Sequence, residues 1–320
     1  MSTYKLAIAV HNHQPVGNFQ AIFDEAHRRA YQPFLELLRQ HPNIRLSLHQ
    51  SGILWEWQKK AHPEFFRLVG ELVDRGQVEL LTGGFYEPIL VSIPERDILG
   101  QIARLSGYLN DHFEVTPQGL WLAERVWEPH LPRPLAAAGV RYLPIDDTHF
   151  FQAGFDESQL WGPYITEHDG RMITLLPIRR RLRYLIPFGE PQEIIDHLKR
   201  DAERHPEGLA VYADDGEKFG IWPHTHAHCY GDGWLQRFFD LLDQNRDWLE
   251  VVPLADAARV APLGRAYLPS GSYAEMKQWA MPASAILQYD QFESGLKESD
   301  QFERFSRFIG GGHWRSFLTK

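Results

Sequence analysis

Short, mostly apolar runs recur along the first 250 or so residues and alternate with longer amphipathic segments. Runs of four or five such residues, bounded by polar or turn-forming residues, are typical of strands buried on both faces. They predict strands at residues 6–10, 44–48, 78–81, 119–123, 142–145, 209–213 and 249–252, with shorter β pieces at 160–165, 172–176 and 182–188. Helical periodicity with proline or glycine boundaries predicts helices near residues 33–40, 63–76, 94–113, 132–138, 191–200, 233–242, 273–279 and 284–308.

Strands that alternate with helices at this spacing predict parallel βαβ units. Seven or eight such units in about 250 residues fit a closed α/β barrel better than an open sheet. The competing fold is a doubly wound open sheet, which would carry a glycine-rich loop after its first strand, and HNHQPVGNF at residues 11–19 is not such a loop. The repeat stops near Pro262. We therefore expect a barrel over residues 1–262 and a helical appendage over residues 263–320.

Polar side chains cluster where the predicted strands end. The clusters comprise His11 and His13, Glu87, Glu124, Asp146 and Asp147, and Asp214 and Asp215. All the parallel strands of a barrel end at one face, so these side chains are expected to share the mouth at that face. Barrel enzymes keep their active sites there, and the sequence therefore predicts an active site at this mouth.

The stretch WLAERVWEP at residues 121–129 combines the character of a buried strand with charge. Glu124 and Arg125 lie between Trp121 and Trp127. A carboxylate and a guanidinium at the end of a buried strand are costly unless they are paired or functional. One interpretation is a structural ion pair between Glu124 and Arg125. The other is a ligand site, in which indole rings contact a flat, weakly polar molecule such as a sugar.

Glu124 and Asp215 both follow predicted barrel strands and are expected to face each other across the mouth. Two carboxylates across a sugar-sized cleft can cleave a glycosidic bond, one acting at the anomeric carbon and one at the leaving oxygen. Arg125 would keep its neighbour Glu124 ionised, which suits a nucleophile. The acidic neighbours of Asp215 favour its protonated form, which suits a general acid, although Lys218 opposes them.

His11 and His13 also have the spacing of metal ligands, because an H-x-H pair on a strand places both imidazoles on one face. Together with the aspartates that follow neighbouring strands, they would form the site of a metal-dependent, deacetylase-like hydrolase. Otherwise they bind sugar hydroxyls or the nucleophile, or they are packed structural histidines. HTHAH at residues 224–228 has a similar spacing, but its polar surroundings favour solvated histidines.

Composition narrows the classes of partner and compartment. The chain of 320 residues has a formal net charge of -9 and no basic stripe, which argues against nucleic acid binding. The apolar run after Lys5 is too short for a signal-peptide core, and no stretch approaches the length of a membrane span. The single cysteine, Cys229, excludes an internal disulfide and favours a cytoplasmic location. Many of the 10 Trp, 12 Tyr and 19 Phe residues lie beside polar motifs, as in carbohydrate-binding sites.

Several ordered motifs resemble glycoside hydrolase family 57, and within it the branch of 4-α-glucanotransferases and α-amylases. They are HNHQP at 11–15, GGFYEP at 83–88, WLAERVWEP at 121–129 and YADDGEKFG at 212–220, joined by LRYLIPF at 182–188 and LPSGSYAEM at 268–276. The resemblance covers about residues 5–280. It implies an α/β fold, an incomplete TIM-like (β/α)7 barrel, that acts on α-glucans with retention of configuration and requires no metal or other cofactor.

The resemblance also assigns roles to individual residues. It makes Glu124 the nucleophile and Asp215 the acid/base, with Asp214 as the nearest competitor for the second role. The positions that match the lining of the donor sugar site are His11, His13, Glu87, Trp121 and Trp222.

The family pattern continues beyond the barrel, with a fifth motif and then, in this branch, large β-rich domains. GGGHW at residues 310–314 matches that motif only loosely, so we expect the chain to stop before the β-rich part. The expected function is transfer or hydrolysis of α-1,4-glucosidic bonds in maltooligosaccharides, with transfer favoured. The alternatives are the metal-dependent hydrolase and a non-catalytic glucan-binding module. The protein partner considered is a second copy of the chain, in a homodimer.

Overall fold

A closed ring of parallel strands organises the computed structural model, which describes residues 3–276, 282–306 and 309. The strands are β1 (Tyr4–Asn12), β2 (Leu46–Gln50), β3 (Val78–Leu80), β4 (Tyr142–Asp146), β5 (Tyr164–His168), β6 (Arg171–Ile178), β7 (Leu209–Asp215), β8 (Leu249–Val252) and β9 (Gly264–Arg265). Parallel pairing runs in the order β3-β2-β1-β7-β6-β4. β5 lies antiparallel to β6, and β8 pairs with the first half of β1.

Two isolated bridges close the ring between β3 and β4. Thr82 bridges Leu120, and Gly119 bridges Tyr142, both in parallel. The described residues thus form seven parallel positions around a closed barrel, as the sequence predicted. The strand predicted at residues 119–123 is reduced to these bridges, because the backbone turns at once into a 3-10 turn over Ala123–Arg125.

Helices surround the ring. The α-helices are α1 (Gln20–Ala26), α2 (Gln32–Arg39), α3 (Gly52–Ala61), α4 (Pro63–Asp74), α5 (Glu95–Phe113), α6 (Pro132–Ala137), α7 (Asp147–Gln152), α8 (Arg180–Leu185), α9 (Pro191–Arg204), α10 (Trp234–Gln244), α11 (Leu254–Ala257), α12 (Ala283–Lys297) and α13 (Phe302–Phe305). Shorter turns are π-helical at His27–Tyr31 and Ala227–Gly231, and 3-10 at Leu90–Ser92, Ala123–Arg125, Glu157–Gln159 and Gly216–Phe219. Proline at the start of α4 and α9 fits the first helical turn, where its missing N–H is not needed.

Two local predictions differ from the structure. The β piece predicted at residues 182–188 was wrong, because Arg180–Leu185 forms α8; so few residues of mixed apolar and charged character fit either period. The helix predicted at residues 284–308 is divided into α12 and α13. Residues 277–281, within or beside the helix predicted at 273–279, and GGGHW at 310–314 lie outside the described residues.

Alternation along the strands divides the core into an inner and an outer layer. In β1, Leu6, Ile8 and Val10 pack against the surrounding helices, whereas Ala7 and Ala9 belong to the cluster that fills the ring. Successive side chains of a strand point to opposite faces, so the small alanines leave room inside a narrow barrel. The same alternation decides which residues beyond the strand ends face the mouth.

Candidate active site

The inner faces of β1 and β7 direct two predicted site residues into the mouth. Ala7 and Ala9 lie inside the ring, so His11, two positions further on, falls on the same face. Ala213 of β7 also lies inside the ring, which places Asp215 on the inner face. The register between the two strands pairs His11 directly with Asp215. The geometry therefore brings together two residues that are far apart in the sequence.

His11 is the centre of a hydrogen-bonded chain at the bottom of this mouth. Its Nδ1 lies 2.8 Å from Nδ1 of His49, and its Nε2 lies 3.0 Å from Oε1 of Glu87. The ring of Trp121 stacks on the imidazole of His11, with 4.5 Å between centroids and 15° between planes. A Cβ at Gly83 would lie 2.5 Å from Nε2 of His49, which explains a glycine in the GGFYEP motif. These contacts fix the plane of the His11 ring.

Glu87 and His11 are both neutral near pH 7. Burial raises the pKa of Glu87 to about 8; His13 opposes the rise, and the negative charges of Glu124 and Asp215 add to it. Burial lowers the pKa of His11 to about 4. Their contact therefore joins a neutral imidazole to a carboxylic acid, and it is not an ion pair. Glu124 and Asp215 both act electrostatically on Glu87, so the three carboxyl groups converge on one site.

Glu124 is held in an uncommon backbone conformation at the mouth. Its φ is 51°, and that of Arg125 is 48°, so both lie in the left-handed region that non-glycine residues rarely adopt. The hydroxyl of Tyr273 donates to Oε2 of Glu124 at 2.5 Å, and Oγ of Ser272 donates to the backbone oxygen of Glu124 at 2.6 Å. The LPSGSYAEM motif thus fixes both the backbone and the carboxylate of Glu124.

Arg125 does not pair with Glu124, contrary to the structural ion pair that was one of the two sequence interpretations. Its guanidinium lies 3.5 Å from Oδ1 of Asp214 and is centred 4.7 Å from the ring of Tyr273. Arg183 Nε lies 3.1 Å from Oδ2 of Asp214, and Lys218 also binds that oxygen. Arg125 is adjacent to Glu124 in the sequence, but it therefore pairs with the carboxylate of Asp214 on β7.

Asp214 is the anion of a buried ionic network. Burial raises its pKa, but Arg183, Lys218 and Arg125 outweigh burial and hold the pKa of Asp214 below its ordinary value. Arg183 also joins Asp146, with Nη1 3.0 Å from Oδ2. Asp214 is fully buried, whereas Asp215 is partly exposed. Of the two aspartates that competed for the acid/base role, Asp215 is the one that a substrate can reach.

The two tryptophans predicted to line the donor site differ in exposure. Trp222 is 41% exposed, and its ring lies 5.9 Å from that of Phe188 and beneath the ammonium of Lys218. Trp121 is only 4% exposed, and it packs behind His11. Trp222 is therefore placed to stack directly on a ligand, whereas Trp121 acts mainly by supporting His11.

His13 lies at the edge of the same site. Its Nε2 is 3.3 Å from Oε2 of Glu87, and its backbone N donates to Oε1 of Glu217 at 2.9 Å. Tyr31 donates its hydroxyl to the same Oε1. Burial, followed by the charge of Asp215, raises the pKa of Glu217 to about 8. Glu217 thus anchors the loop after β1 beneath the predicted acid/base.

Several residues of the site escaped sequence reasoning. His49 and Tyr273 contact predicted site residues, and Arg183 contacts the competitor Asp214. Glu217 was considered only as an acidic neighbour of Asp215, and its contact with His13 was not expected. The position of His49 at the end of β2 was a usable signal, because the other clusters also follow strand ends. Tyr273 and Arg183 lie outside the strand-end pattern, and only the folded chain brings them to the mouth.

The residues that could hold a metal ion at the mouth differ from the set that the sequence predicted. His11, His49 and Glu87 each offer an atom within 4.8 Å of the others, so they could hold a metal ion. Among the described residues, no such group combines the histidine pair with Asp146, Asp147 or Asp214. In the 224–228 segment, His226 Nδ1 and His228 Nε2 each lie 2.9 Å from a backbone oxygen, of Arg29 and Pro187. Those contacts favour structural roles for His226 and His228, whereas His224 is exposed.

The fold and the mouth define an α/β barrel with convergent carboxyl groups and an exposed aromatic platform at the carboxyl ends of its strands. A family model identifies the class of protein more specifically. The chain belongs to glycosyl hydrolase family 57, whose model matches residues 7–269. Among the described residues, helices long and apolar enough to cross a membrane are absent.

Curated relatives are similar along almost the whole chain. Alpha-amylase 1 of Dictyoglomus thermophilum is 42% identical over 317 residues, which are 98% of this chain and 46% of the relative. The 4-alpha-glucanotransferase of Thermococcus litoralis is 40% identical over 320 residues, which are 100% of this chain and 48% of the relative. The crystal structure of the latter protein superposes with a TM-score of 0.94 over 100% of this chain and 50% of that one. The chain thus spans about half the length of the curated relatives it matches.

Proposed function

We propose that this chain forms the catalytic barrel of a retaining α-1,4-glucan-active enzyme, with glucan transfer as its main reaction. The observation that supports the proposal best is the convergence of Glu124, Asp215 and Glu87 in one mouth. A family with relatives named 4-alpha-glucanotransferase and alpha-amylase supplies the substrate class. Residues 1–262 would form the barrel and residues 263–320 an appendage to it.

In the proposed reaction, Glu124 attacks the anomeric carbon of the donor glucan. Asp215 gives its proton to the glycosidic oxygen, so the leaving chain departs as an alcohol and a covalent glycosyl-enzyme remains. Asp215, now a carboxylate, takes a proton from the incoming acceptor hydroxyl, which displaces Glu124 and restores both groups. The hydrogen bond from Tyr273 holds the attacking carboxylate in position.

The remaining residues of the mouth would bind the donor sugar. Neutral His11 and protonated Glu87 present uncharged hydrogen-bonding groups, and His13 lies beside them at the edge. Trp222 would stack on a sugar face, and Trp121 would support the wall formed by His11. This subsite needs neither a metal nor an organic cofactor for the proposed steps.

Hydrolysis is the second candidate function, because three of the most similar relatives are named as alpha-amylases. The two reactions share the glycosyl-enzyme and differ only in the acceptor, which is another glucan or water. Transfer prevails when a bound acceptor excludes water from the intermediate.

The deciding experiment is incubation of the purified chain with maltotriose, with and without EDTA, followed by separation of the products by length. Longer oligosaccharides together with glucose, unaffected by EDTA, are expected for transfer. Glucose and maltose alone would indicate an amylase. Loss of all products with EDTA would favour the metal-dependent hydrolase, with His11, His49 and Glu87 as its ligands. The Glu124→Gln chain is the control and should form no product.

Glucan binding without turnover in this assay would instead support the non-catalytic binding module.

A cytoplasmic location remains part of the proposal, and the single, buried Cys229 supports it. A homodimer is the proposed assembly, and light scattering of the purified chain would decide it.

A further inference from the structure

A second group of potential ligands lies away from the barrel mouth, where α1 meets the start of α4. It consists of His27, His62 and Glu64, with Asp24 beside them, and we refer to these four residues as the His27 cluster. The donor atoms of His27, His62 and Glu64 all lie within 4.8 Å of one another. The cluster has no part in the proposed glucan chemistry.

Ring nitrogens in the cluster lack the hydrogen bonds that buried polar atoms normally make. His27 is fully buried, and within the part of the chain that the structure describes no hydrogen bond of good geometry reaches either of its ring nitrogens, although the side chain of Gln32 lies close enough to interact with the ring. Nε2 of His62 is also buried and without one. Nearly all buried polar atoms are hydrogen-bonded, so three unsatisfied nitrogens in adjacent rings call for an explanation. The rings of His27 and His62 stack with centroids 3.8 Å apart and 22° between planes, so one ring would turn on binding to direct both electron pairs to one ion.

The charges and spacing in the cluster suit a divalent cation. Nδ1 of His62 lies 3.3 Å from Oε1 of Glu64, and its Nε2 lies 3.8 Å from Oδ1 of Asp24. Two ligands of one tetrahedral zinc ion are about 3.3 Å apart, given bonds of about 2.0–2.1 Å. A neutral imidazole nitrogen is a common zinc ligand, and His27 offers two. A second histidine and a carboxylate then complete the nitrogen and oxygen donors that zinc prefers.

We propose that His27, His62 and Glu64 bind a divalent transition-metal ion of the zinc class. The backbone supports this reading, because His27 opens the π-helical turn His27–Tyr31, and π-helical turns frequently occur at functional sites. A bound ion would connect this turn to the start of α4. The turn ends at Tyr31, whose hydroxyl binds Glu217, so the ion would also stabilise the support of the loop after β1.

The test is zinc binding to the purified, metal-stripped chain, followed by calorimetry and by metal analysis after gel filtration. We expect one equivalent of Zn²⁺ at the His27 cluster. His62→Asn and Glu64→Gln should each weaken its binding by about tenfold or more, since even the loss of an outer-shell partner costs that much. Zinc should raise the Tm of the unaltered chain and not that of His62→Asn, because only a folded-state site stabilises by binding. His62 and Glu64 are used because substitution of the buried His27 could prevent folding.

Two control variants separate this site from other sources of zinc binding. His205→Asn removes a partly buried histidine that stacks on Trp161, outside the cluster, and should leave zinc affinity unchanged. Glu87→Gln alters the histidine and carboxylate group at the mouth and should also leave the His27 equivalent in place. The proposal is wrong if the unaltered chain takes up no zinc. It is also wrong if His62→Asn binds zinc as tightly as the unaltered chain, or if Glu87→Gln alone abolishes binding.

Discussion

Two pairs of carboxylates lie at the mouth of the same barrel and have opposite surroundings. Asp146 and Asp214 are buried and bound by Arg183, and Asp214 also receives Arg125 and Lys218. Glu124 and Asp215 are partly exposed, and neither has an ion pair with a lysine or arginine among the described residues. The first pair organises charge inside the protein, whereas the second faces the space that a substrate would occupy.

The contrast is sharpest between Asp214 and Asp215, which are adjacent in the chain. One step along β7 reverses the direction of the side chain, so Asp215 joins the inner face with Ala213 while Asp214 points to the opposite face. A carboxylate that is held by three cations is fixed as an anion and cannot easily exchange a proton. A carboxylate that is free of cations can do so, which is what an acid/base requires.

The largest expected effect comes from removing the partly exposed pair. Glu124→Gln should lower glucan turnover by about 10⁴-fold or more while maltooligosaccharide binding is kept, because the amide keeps the shape of the proposed nucleophile but cannot attack. Asp215→Asn should lower turnover of natural glucans to a similar extent. Substrates with good leaving groups should still form the glycosyl-enzyme in this variant, since they need no proton. Steady-state rates and mass spectrometry of the trapped intermediate measure both effects.

Full activity in Glu124→Gln would refute the nucleophile assignment. Normal turnover in Asp215→Asn, with loss in Asp214→Asn at unchanged stability, would exchange the roles of the two aspartates.

A substitution in the buried pair should lower the free energy of unfolding more than it lowers turnover. Asp214→Asn leaves Arg183, Lys218 and Arg125 without their common anion. Removing one partner of a buried ionic network typically costs about 3–5 kcal/mol of unfolding free energy. Asp215→Asn is the matched control, and it should change the unfolding free energy by less than about 1 kcal/mol. Urea unfolding of the two variants measures the difference. Equal midpoints would contradict the distinction between the ion-paired Asp214 and the partly exposed Asp215.

The same contrast shows how far the sequence alone could lead. Apolar runs and their helical separators were sufficient for the closed barrel, and polar residues at strand ends indicated the mouth with Glu124 and Asp215. The carboxylate with which Arg125 pairs could not be predicted, because Arg125 is adjacent to Glu124 in the sequence yet pairs with Asp214 in space. Arg183 lay in a segment that was wrongly predicted as a strand.

Tyr273 shows a second limit of sequence reasoning. It reaches Glu124 from a segment more than a hundred positions away, and no local periodicity reports such a contact. The LPSGSYAEM motif was matched to the branch but received no role, because the resemblance assigned none to it. Contacts of this kind depend on how the chain returns across the mouth, which is decided by packing rather than by local pattern.

Tyr273→Phe tests how Glu124, one member of the partly exposed pair, is held in position. The change keeps the ring beneath Arg125 but removes the hydroxyl that donates to Glu124. We expect kcat to fall about tenfold with little change in KM, because one charged hydrogen bond that positions the nucleophile is lost.

Tyr184→Phe is the control for Tyr273→Phe. It removes an exposed hydroxyl that donates to Glu275 at 3.0 Å and should leave kcat unchanged. A merely structural role of Tyr273 would lower stability while the folded Tyr273→Phe protein kept its full kcat, and that result would remove Tyr273 from the positioning of Glu124.

The smallest effect is expected from the aromatic residues that flank the pair. Trp222→Ala should weaken maltooligosaccharide binding by roughly fivefold, since an exposed ring that stacks on a sugar contributes about 1 kcal/mol. Trp222→Tyr, which keeps a ring, should recover most of the affinity. Trp121→Phe should change affinity less than about twofold, because Trp121 is 4% exposed and acts through its packing on His11. Calorimetric titration in the Glu124→Gln background avoids turnover, and a larger loss for Trp121→Phe than for Trp222→Ala would show that Trp121 contacts the sugar itself.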